Sequence, residues 1–468
     1  MIDTQLLDAQ LDSWAARQHV AGYSACILGP EGIVYSRANG ITDEAGAHHP
    51  DLDTMYGIAS LSKSLTALCC CILACEGKLS LDDPVARYVP GFRMPGQPAE
   101  AVTIRHLATH TSGLPPMEVL EWSSAMNSHG RQAGEDILAL RASAPNAMAT
   151  IDQVLDYIAS CPYAPVGAPG EHFSYSNEGY AVLSYVVDAA AGMPLEAYMA
   201  ERIFRPLGMT RSILDNGVEA SRRLSGGNFT SLFSWEDGHQ VCDDGWTILP
   251  PFRGCAMVKS TARDLAAYYR ALSNHGMHEG RQVIPREAVE LLLGASHPLS
   301  RIPVMCMGIN KRAYRGHVIC DHGGALHGVS AKGAMLLGEG YGFALLTNES
   351  GAGLDSAVWS MENAVLGRPL SESHEWFVPS GHPFSAPDMI CGTYEGNEGL
   401  PSLLEIRMDG ELCAFQDGER LTLRHCGETR FMALEADGSL SSRLIFHIRG
   451  GLAWGVSVGT RIFARKPA

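Results

Sequence analysis

The chain has 468 residues, more than one hydrophobic core usually holds, so two domains are expected. An apolar fraction of 46% with 18% charged residues describes a folded globular protein and excludes an intrinsically disordered one. The net charge of −16 argues against nucleic acid or an anionic membrane surface as the partner.

Targeting and metal-binding signals are sparse. Residues 1–8 have neither the basic nor the apolar region of a signal peptide, and the longest apolar run, 65–74, is too short to span a membrane. Cys69, Cys70 and Cys71 would point in different directions on one helix, so we expect small core residues in a reducing compartment. The sequence therefore predicts a cytoplasmic protein that has no membrane contact and no metal or other cofactor.

Hydrophobic periodicity predicts helices mixed with a β-hairpin in the first part of the chain. Residues 121–149 lack a period and are predicted to be a long surface excursion, a candidate cover for an active site. The predicted elements are, in order, a helix at 4–19, strands at 22–29 and 33–39, a helix from 60 to about 76, a short helix after Thr103, and helices at 150–161 and 178–191.

Further along, short alternating segments separated by glycine turns predict strands. Because hairpins join these strands, the sheet should be antiparallel, with strands from both ends of the domain, in an α/β fold. The predicted elements are a helix at 261–272, strands at 305–309, 317–320, 330–337 and 341–347, and a helix at 355–365.

The composition then turns to proline, serine, histidine and glycine, which indicates a linker. Asp-Gly turns at 409–410, 417–418 and 437–438 indicate short strands, hence a small β-barrel or sandwich. We predict an α/β domain at 1–370, a linker at 371–387 and a β domain at 388–468.

The most informative local motif is Ser-x-x-Lys at Ser60 and Lys63. Residues three apart in one helical turn share a face, so the lysine amine would lie beside the serine hydroxyl. A desolvated lysine can be neutral enough to take the hydroxyl proton and activate the serine as a nucleophile. The alternative for Ser60 is a plain helix cap, because the motif is common by chance.

Two later segments could supply partners. Tyr175 could relay protons beside a cation such as Lys63, and the amide of Asn177 could hold both a substrate carbonyl and the lysine amine. On a predicted strand, His322 is followed by Gly323 and Gly324, and glycines inside a strand indicate a close backbone approach.

Ser-x-x-Lys, Tyr-x-Asn and His-x-Gly in this order, with the stretch RHLATHTSGL at 105–114, resemble the serine beta-lactamase and penicillin-binding-protein superfamily. The closest resemblance is to its class C-like branch of peptidases, esterases and carboxypeptidases. It covers residues 11–366 and implies an antiparallel sheet flanked by helices, with an all-helical subdomain. Several members of the branch carry a lipocalin-like barrel after the catalytic domain.

The resemblance also implies residue roles. Ser60 would be the acylated nucleophile, Lys63 its base and Tyr175 the proton relay, while Asn177 would orient the substrate. The backbone N–H groups of Ser60 and Ala325 would form the oxyanion hole. The glycines that precede Ala325 would lie along the substrate.

The sequence departs from the beta-lactamases at His322, where they have lysine. A mostly uncharged histidine anchors a substrate carboxylate less firmly. This departure favours amides or peptides of D-amino acids, with esterase or weak beta-lactamase activity and a silent binding protein as alternatives. Arg253 is a candidate for holding a substrate carboxylate. The expected partner is a small molecule or short peptide, and a homo-oligomer is left open.

Overall fold

A computed structural model of the chain describes residues 2–128, 134–294, 297–298 and 304–467. The described helices are α1 Thr4–Arg17, α2 Ser62–Cys75, α3 Ile104–Ala108, α4 Val119–Asn127, α5 Glu135–Ser143, α6 Ile151–Ser160, α7 Asn177–Ala191, α8 Leu195–Met199, α9 Glu219–Ser225, α10 Arg253–Ala256, α11 Ala262–Ser273, α12 Arg286–Leu293 and α13 Asp355–Leu366.

The strands divide into two groups. Those before residue 350 are β1 Gly22–Gly29, β2 Gly32–Gly40, β3 Tyr56–Gly57, β4 Ile213–Leu214, β5 Leu232–Glu236, β6 His239–Asp243, β7 Val258–Ser260, β8 Met277–His278, β9 Arg281–Gln282, β10 His297–Pro298, β11 Val304–Met305, β12 Asn310–Tyr314, β13 His317–Leu326, β14 Val329–Leu336 and β15 Tyr341–Thr347. Those of the C-terminal part are β16 Gly392–Gly396, β17 Ser402–Asp409, β18 Glu411–Gln416, β19 Glu419–His425, β20 Arg430–Leu434, β21 Leu440–Arg449, β22 Leu452–Val458 and β23 Arg461–Arg465.

The main sheet is antiparallel and joins strands from both ends of the N-terminal domain, as expected. Its order in the described chain is β10-β11-β12-β13-β14-β15-β1-β2. Strand β1 pairs with β15, with Tyr23 opposite Thr347. Every residue of β1 is buried, because α1 and α13 pack on one face of the sheet and the larger core, which includes α11, packs on the other.

Helix α2 lies at the centre of the larger core. Its residues from Ser62 to Leu73 are buried, and it packs against α7 and α10. Cys69, Cys70 and Cys71 are fully buried free thiols, which confirms the expectation of small core residues. A helix that is apolar on all sides has no polar face for solvent, so it is stable only in such an interior position.

Two predicted segments differ from the structure. Residues 121–149 form the short helices α4 and α5 rather than an irregular excursion; 129–133 lie outside the described residues. The strand expected at 305–309 stops at Met305, and β12 begins at Asn310. Between them Gly308 adopts φ of +69°, and a Cβ there would lie 3.0 Å from the backbone of Lys63, so the chain turns where it passes α2.

The C-terminal strands close into an antiparallel barrel, in which β16 pairs with both β17 and β23. Alternate residues point inward and form its separate core, which includes Tyr394, Phe431 and Phe446. We call β16–β23 with their connections the barrel. The domain limits at 370 and 388 stay a prediction. No helix within the described residues is long and apolar enough to cross a membrane.

Candidate active site

Ser60 lies in a tight 3₁₀ turn, Ala59–Leu61, directly before α2. Ala59 has φ of +45°, a left-handed conformation that costs a non-glycine residue about 1–3 kcal/mol. Packing of Ala59 against Leu232, Trp246 and Val329 maintains this conformation. Such strain is typical of functional sites, and Ser60 is partly exposed to a cleft of about 1210 Å³.

Lys63 is the nearest charged partner of Ser60. Its Nζ donates to Ser60 Oγ at 3.0 Å and to the Cys255 carbonyl oxygen at 3.3 Å, and the side chain is fully buried. Burial disfavours the ammonium, but Cys255 and Tyr175 favour it more strongly and raise the pKa of Lys63. The role of Lys63 as the base that takes the Ser60 proton stays a prediction.

Tyr175 is positioned by groups on several sides. Its ring centroid lies 4.8 Å from Lys63 Nζ, and its ring stacks on His110 with centroids 4.1 Å apart. His110 accepts a hydrogen bond of 3.0 Å from the Ser176 N–H through Nδ1. Burial, with the Lys63 cation next, holds the pKa of His110 well below its usual value, so the stacked ring is neutral.

Sequence reasoning missed His110. It lies in the RHLATHTSGL stretch, to which the sequence analysis gave no role in the site. Helix α3 ends at Ala108, and His110 lies beyond it with φ of +57°. His106 does act as a cap, since its Nδ1 accepts from the Thr103 N–H at 3.2 Å. The RHLATHTSGL stretch was the available signal, but spacing alone does not show which aromatic ring lies on His110.

Asn177 begins α7, where its side chain meets both domains. Its Nδ2 donates to Glu398 Oε1 of the barrel at 3.1 Å, and its Oδ1 accepts from Cys255 Sγ at 3.3 Å. We expected Asn177 to hold Lys63. The hydrogen bonds recorded within the described chain connect it instead to Glu398 and Cys255, and the Cys255 carbonyl makes the link to Lys63.

Strand β13 passes unusually close to the Ser60 turn. A Cβ on Gly324 would lie 2.4 Å from the Ile58 carbonyl oxygen and 3.0 Å from the Ser60 nitrogen, so only glycine permits this approach. The approach brings Ala325 alongside Ser60 in the wall of the cleft. A Cβ on Gly323 would have 4.0 Å of clearance, so that position is open.

His322 faces the same cleft. Burial first and the Lys63 cation second lower the pKa of His322 to about 4, so the ring is neutral at physiological pH. Its Nδ1 lies 2.5 Å from the Gly323 carbonyl oxygen, which requires Nδ1–H as the donor and leaves Nε2 as an acceptor. The expectation of an uncharged His322 agrees with this pKa.

Three carboxyl groups gather beside Asn177. Glu121 and Glu398 line the cleft, and Glu178 is buried next to them. Burial, followed by repulsion from the other two, raises the pKa of Glu121 well above normal, and burial raises the pKa of Glu178 to about 7. Arg461 pairs with Glu398. We call Glu121, Glu178 and Glu398 the acidic cluster.

Arg253 does not contribute to the cleft. Its guanidinium forms ion pairs with Asp188 and Glu196 and lies 4.8 Å from the Tyr185 ring centroid. The suggestion that Arg253 holds a substrate carboxylate is therefore wrong, because Glu196 and Asp188 already pair with its terminal Nη1 and Nη2 groups and Arg253 is absent from the cleft lining. His327 pairs with Asp243 at 3.2 Å.

The N-terminal domain, which contains Ser60, Lys63 and Tyr175, matches a known protein family. The beta-lactamase family profile matches residues 5–365. Esterase EstB of Burkholderia gladioli is 33% identical over 205 residues, which are 43% of this chain and 49% of EstB. The match therefore spans about half the length of that curated relative.

Solved structures share the fold over most or nearly all of the chain. The octameric penicillin-binding protein homologue from Pyrococcus abyssi has a TM-score of 0.68 at 21% identity, with coverage of 99% of this chain and 100% of its own. D-amino acid amidase from Ochrobactrum anthropi SV3 has a TM-score of 0.61 at 21% identity, with coverage of 78% and 98%. The expected beta-lactamase-like fold with a C-terminal barrel is confirmed.

Proposed function

The chain belongs to the beta-lactamase family of serine hydrolases, and we propose that it hydrolyses small amides or peptides with a free α-amino group, those of D-amino acids first. The observation that carries the proposal is the 3.0 Å contact between Lys63 Nζ and Ser60 Oγ at the wall of a cleft. This intact pair argues against a catalytically silent binding protein, because ligand binding alone does not need a buried lysine hydrogen-bonded to a serine hydroxyl.

The proposed reaction proceeds through an acyl-enzyme. Ser60 Oγ attacks the carbonyl carbon while its proton passes to the Lys63–Tyr175 pair, in which one of the two groups is deprotonated beforehand. The pair then passes that proton to the nitrogen as the C–N bond breaks. Water then attacks the ester, gives its proton to the same pair, and Ser60 recovers its hydroxyl. The N–H groups of Ser60 and Ala325 are proposed to stabilise the oxyanion, a contribution typically worth about 3–4 kcal/mol.

The acidic cluster supports substrates that carry an ammonium group. Glu121 Oε2 is buried and has no hydrogen-bond partner among the described residues, and the three carboxyls raise one another's cost of ionisation. A substrate cation placed among them would favour ionisation of Glu121 and Glu178, because Arg461 pairs only with Glu398. Neutral His322, in contrast, offers no cation to a substrate carboxylate.

The preference for the D configuration comes from similarity rather than from the shape of the cleft. D-amino acid amidase shares the fold. The resemblance stated from the sequence implies that members with histidine in this motif are similar to D-aminopeptidases and D,D-carboxypeptidases. Esterase activity is the second candidate, favoured by the 33% identity to EstB and by the uncharged His322. Weak beta-lactamase activity is the third.

The test uses matched p-nitroanilides of D-alanine, L-alanine and N-acetyl-D-alanine, with p-nitrophenyl butyrate and penicillin as competing substrate classes. We expect kcat/KM for the free D-amine to exceed that of its acetylated form by at least about tenfold, because acetylation removes the ammonium charge. Ser60→Ala should abolish turnover and leave the melting temperature unchanged.

Two results would contradict the proposal. Equal rates for the free and acetylated amides would remove the ammonium preference, and full activity of Ser60→Ala would remove the acyl-enzyme. A single fluorophosphonate adduct mapped to Ser60 by peptide mass would identify the nucleophile independently of the substrate. Light scattering would test whether the chain forms the homo-oligomer that the sequence analysis left open, an arrangement described for the Pyrococcus abyssi protein.

A further inference from the structure

The barrel reaches the candidate active site at the start of β23. The Tyr175 N–H donates to the Thr460 carbonyl oxygen at 2.9 Å, and the Ile462 N–H donates to Ser174 Oγ at 3.4 Å. Two backbone-anchored bonds therefore hold the Tyr175 segment against the strand. Arg461 lies between the two barrel residues that make them.

The Arg461 guanidinium lies over the ring of Tyr175. Its Cζ is 4.3 Å from the ring centroid, closer than Lys63 Nζ at 4.8 Å. A cation over an aromatic face at this distance is attracted to the ring, and a planar guanidinium also fixes the plane of the ring. The stacked His110 ring gives the phenol a further fixed neighbour.

Arg461 is itself held in place and stays charged. It forms an ion pair with Glu398, and its Nη1 donates to Thr460 Oγ1 at 2.7 Å. Burial works against the charge, but Glu398 raises the pKa of Arg461 further. Its side chain is 22% exposed and lines the cleft, so the cation belongs to the site rather than to the exterior.

We propose that Arg461 is a positioning residue that holds the Tyr175 ring for proton transfer to and from Ser60, so that the barrel completes the active site of the N-terminal domain. As Tyr175 gives up its proton, negative charge develops on the phenol beside this fixed cation, and no group must reorient to stabilise it. A residue that only joined the two domains would affect stability and not this step. The inference rests on the proposed acyl transfer at Ser60.

The experiment measures kcat and KM for p-nitrophenyl butyrate in the full-length protein and in Arg461→Gln, Tyr175→Phe and the double variant. We expect Arg461→Gln to lower kcat about 10- to 100-fold with KM nearly unchanged, because a misplaced reacting group costs about this much. In the Tyr175→Phe background the same substitution should have no further effect, because coupled residues are not additive.

Arg407→Gln is the matched control. Arg407 is also a barrel arginine that lies over an aromatic ring, 3.8 Å from the centroid of Phe415, and pairs with Glu405. It is absent from the lining of the cleft, so its substitution should leave kcat unchanged. Thermal melts of every variant check folding. Arg461→Lys retains the charge without the planar fork, so its kcat should fall between those of the wild type and the glutamine variant.

Two outcomes would overturn the proposal: a kcat for Arg461→Gln within twofold of wild type, or an equal loss in the presence and absence of Tyr175. If the glutamine variant does not fold, the loss of kcat caused by Arg461→Lys is measured instead, in the wild-type and in the Tyr175→Phe background. Failure of the proposed function is distinguishable, because the wild-type protein would then show no turnover and no fluorophosphonate adduct on Ser60. If the wild type is active and labelled at Ser60 but Arg461→Gln leaves kcat unchanged, the role of Arg461 is contradicted while the proposed function stands.

Discussion

Asn177 at the start of α7 donates a hydrogen bond of 3.1 Å to Glu398, which lies between two strands of the barrel. The bond joins two chain segments more than two hundred residues apart, at the edge of the cleft that contains Ser60. The barrel is thus part of the site wall. The chemistry proposed for Ser60 therefore depends on both domains, and variants in either one should change it.

Glu398→Gln should reduce the preference for substrates with a free amine. Its neutral amide keeps the size of the side chain but removes one negative charge from the acidic cluster. We expect the ratio of kcat/KM for the D-alanine anilide to that for its N-acetyl form to fall about tenfold, equivalent to about 1.4 kcal/mol. Glu405→Gln, on the outer surface of the barrel, is the control, and an unchanged ratio in Glu398→Gln would contradict the assignment.

Gly324→Ala should damage both stability and activity, because its Cβ would lie 2.4 Å from the Ile58 carbonyl oxygen. Forcing the strand away should cost about 1–3 kcal/mol of unfolding free energy and separate Ala325 from Ser60. Gly323→Ala is the matched variant, since its Cβ has 4.0 Å of clearance and should leave the melting temperature unchanged. Equal melting temperatures for the two variants would show that the close approach is unimportant.

His322→Lys should increase acylation by penicillin. The native ring is neutral because burial and the Lys63 cation lower its pKa to about 4, so the cleft lacks a cation for the penicillin carboxylate. A lysine supplies that charge, and we expect the rate of the penicillin adduct, followed by intact-protein mass, to rise about tenfold. His322→Gln stays neutral and should show no gain. A lysine variant no faster than the glutamine variant would contradict this reasoning.

Glu178→Gln should flatten the pH dependence of stability. Burial raises the pKa of Glu178 from 4.5 to about 7, so between these values the folded protein binds more protons than the unfolded chain. Stability therefore falls as pH rises through this window, by up to about 3 kcal/mol. Melting temperatures from pH 4.5 to 8 should decline less in the variant.

Glu349 should change stability with pH in the same direction, because burial raises its pKa to about 7. Part of the decline in stability should therefore persist in Glu178→Gln. Glu349→Gln therefore serves as the comparison, and the double variant should be flattest. A decline in Glu178→Gln as steep as in the wild type would show that its carboxyl is already ionised in the folded protein at low pH.

Local sequence was sufficient to predict those parts of the fold and of the site that depend on neighbouring residues in one helix, strand or hairpin. The Ser-x-x-Lys spacing predicted the contact between Ser60 and Lys63, because neighbours one helical turn apart meet whatever surrounds them. The glycines after His322 likewise predicted that β13 passes close to another backbone segment. Glycine weakens a strand, so two of them in a strand usually mark a place where another backbone approaches. The antiparallel sheet followed from its hairpins.

Tertiary structure decided the charges and the partners. Cys255 and Tyr175 raise the pKa of Lys63 against the effect of burial, and Arg253 lies outside the cleft because it pairs with Asp188 and Glu196. The sequence by itself determined which residues could react with a substrate, since those motifs lie within single turns or strands. Only the packing of the barrel against the N-terminal domain brought Glu398 and Arg461 to them, because contacts between distant segments depend on how whole domains bury their surfaces.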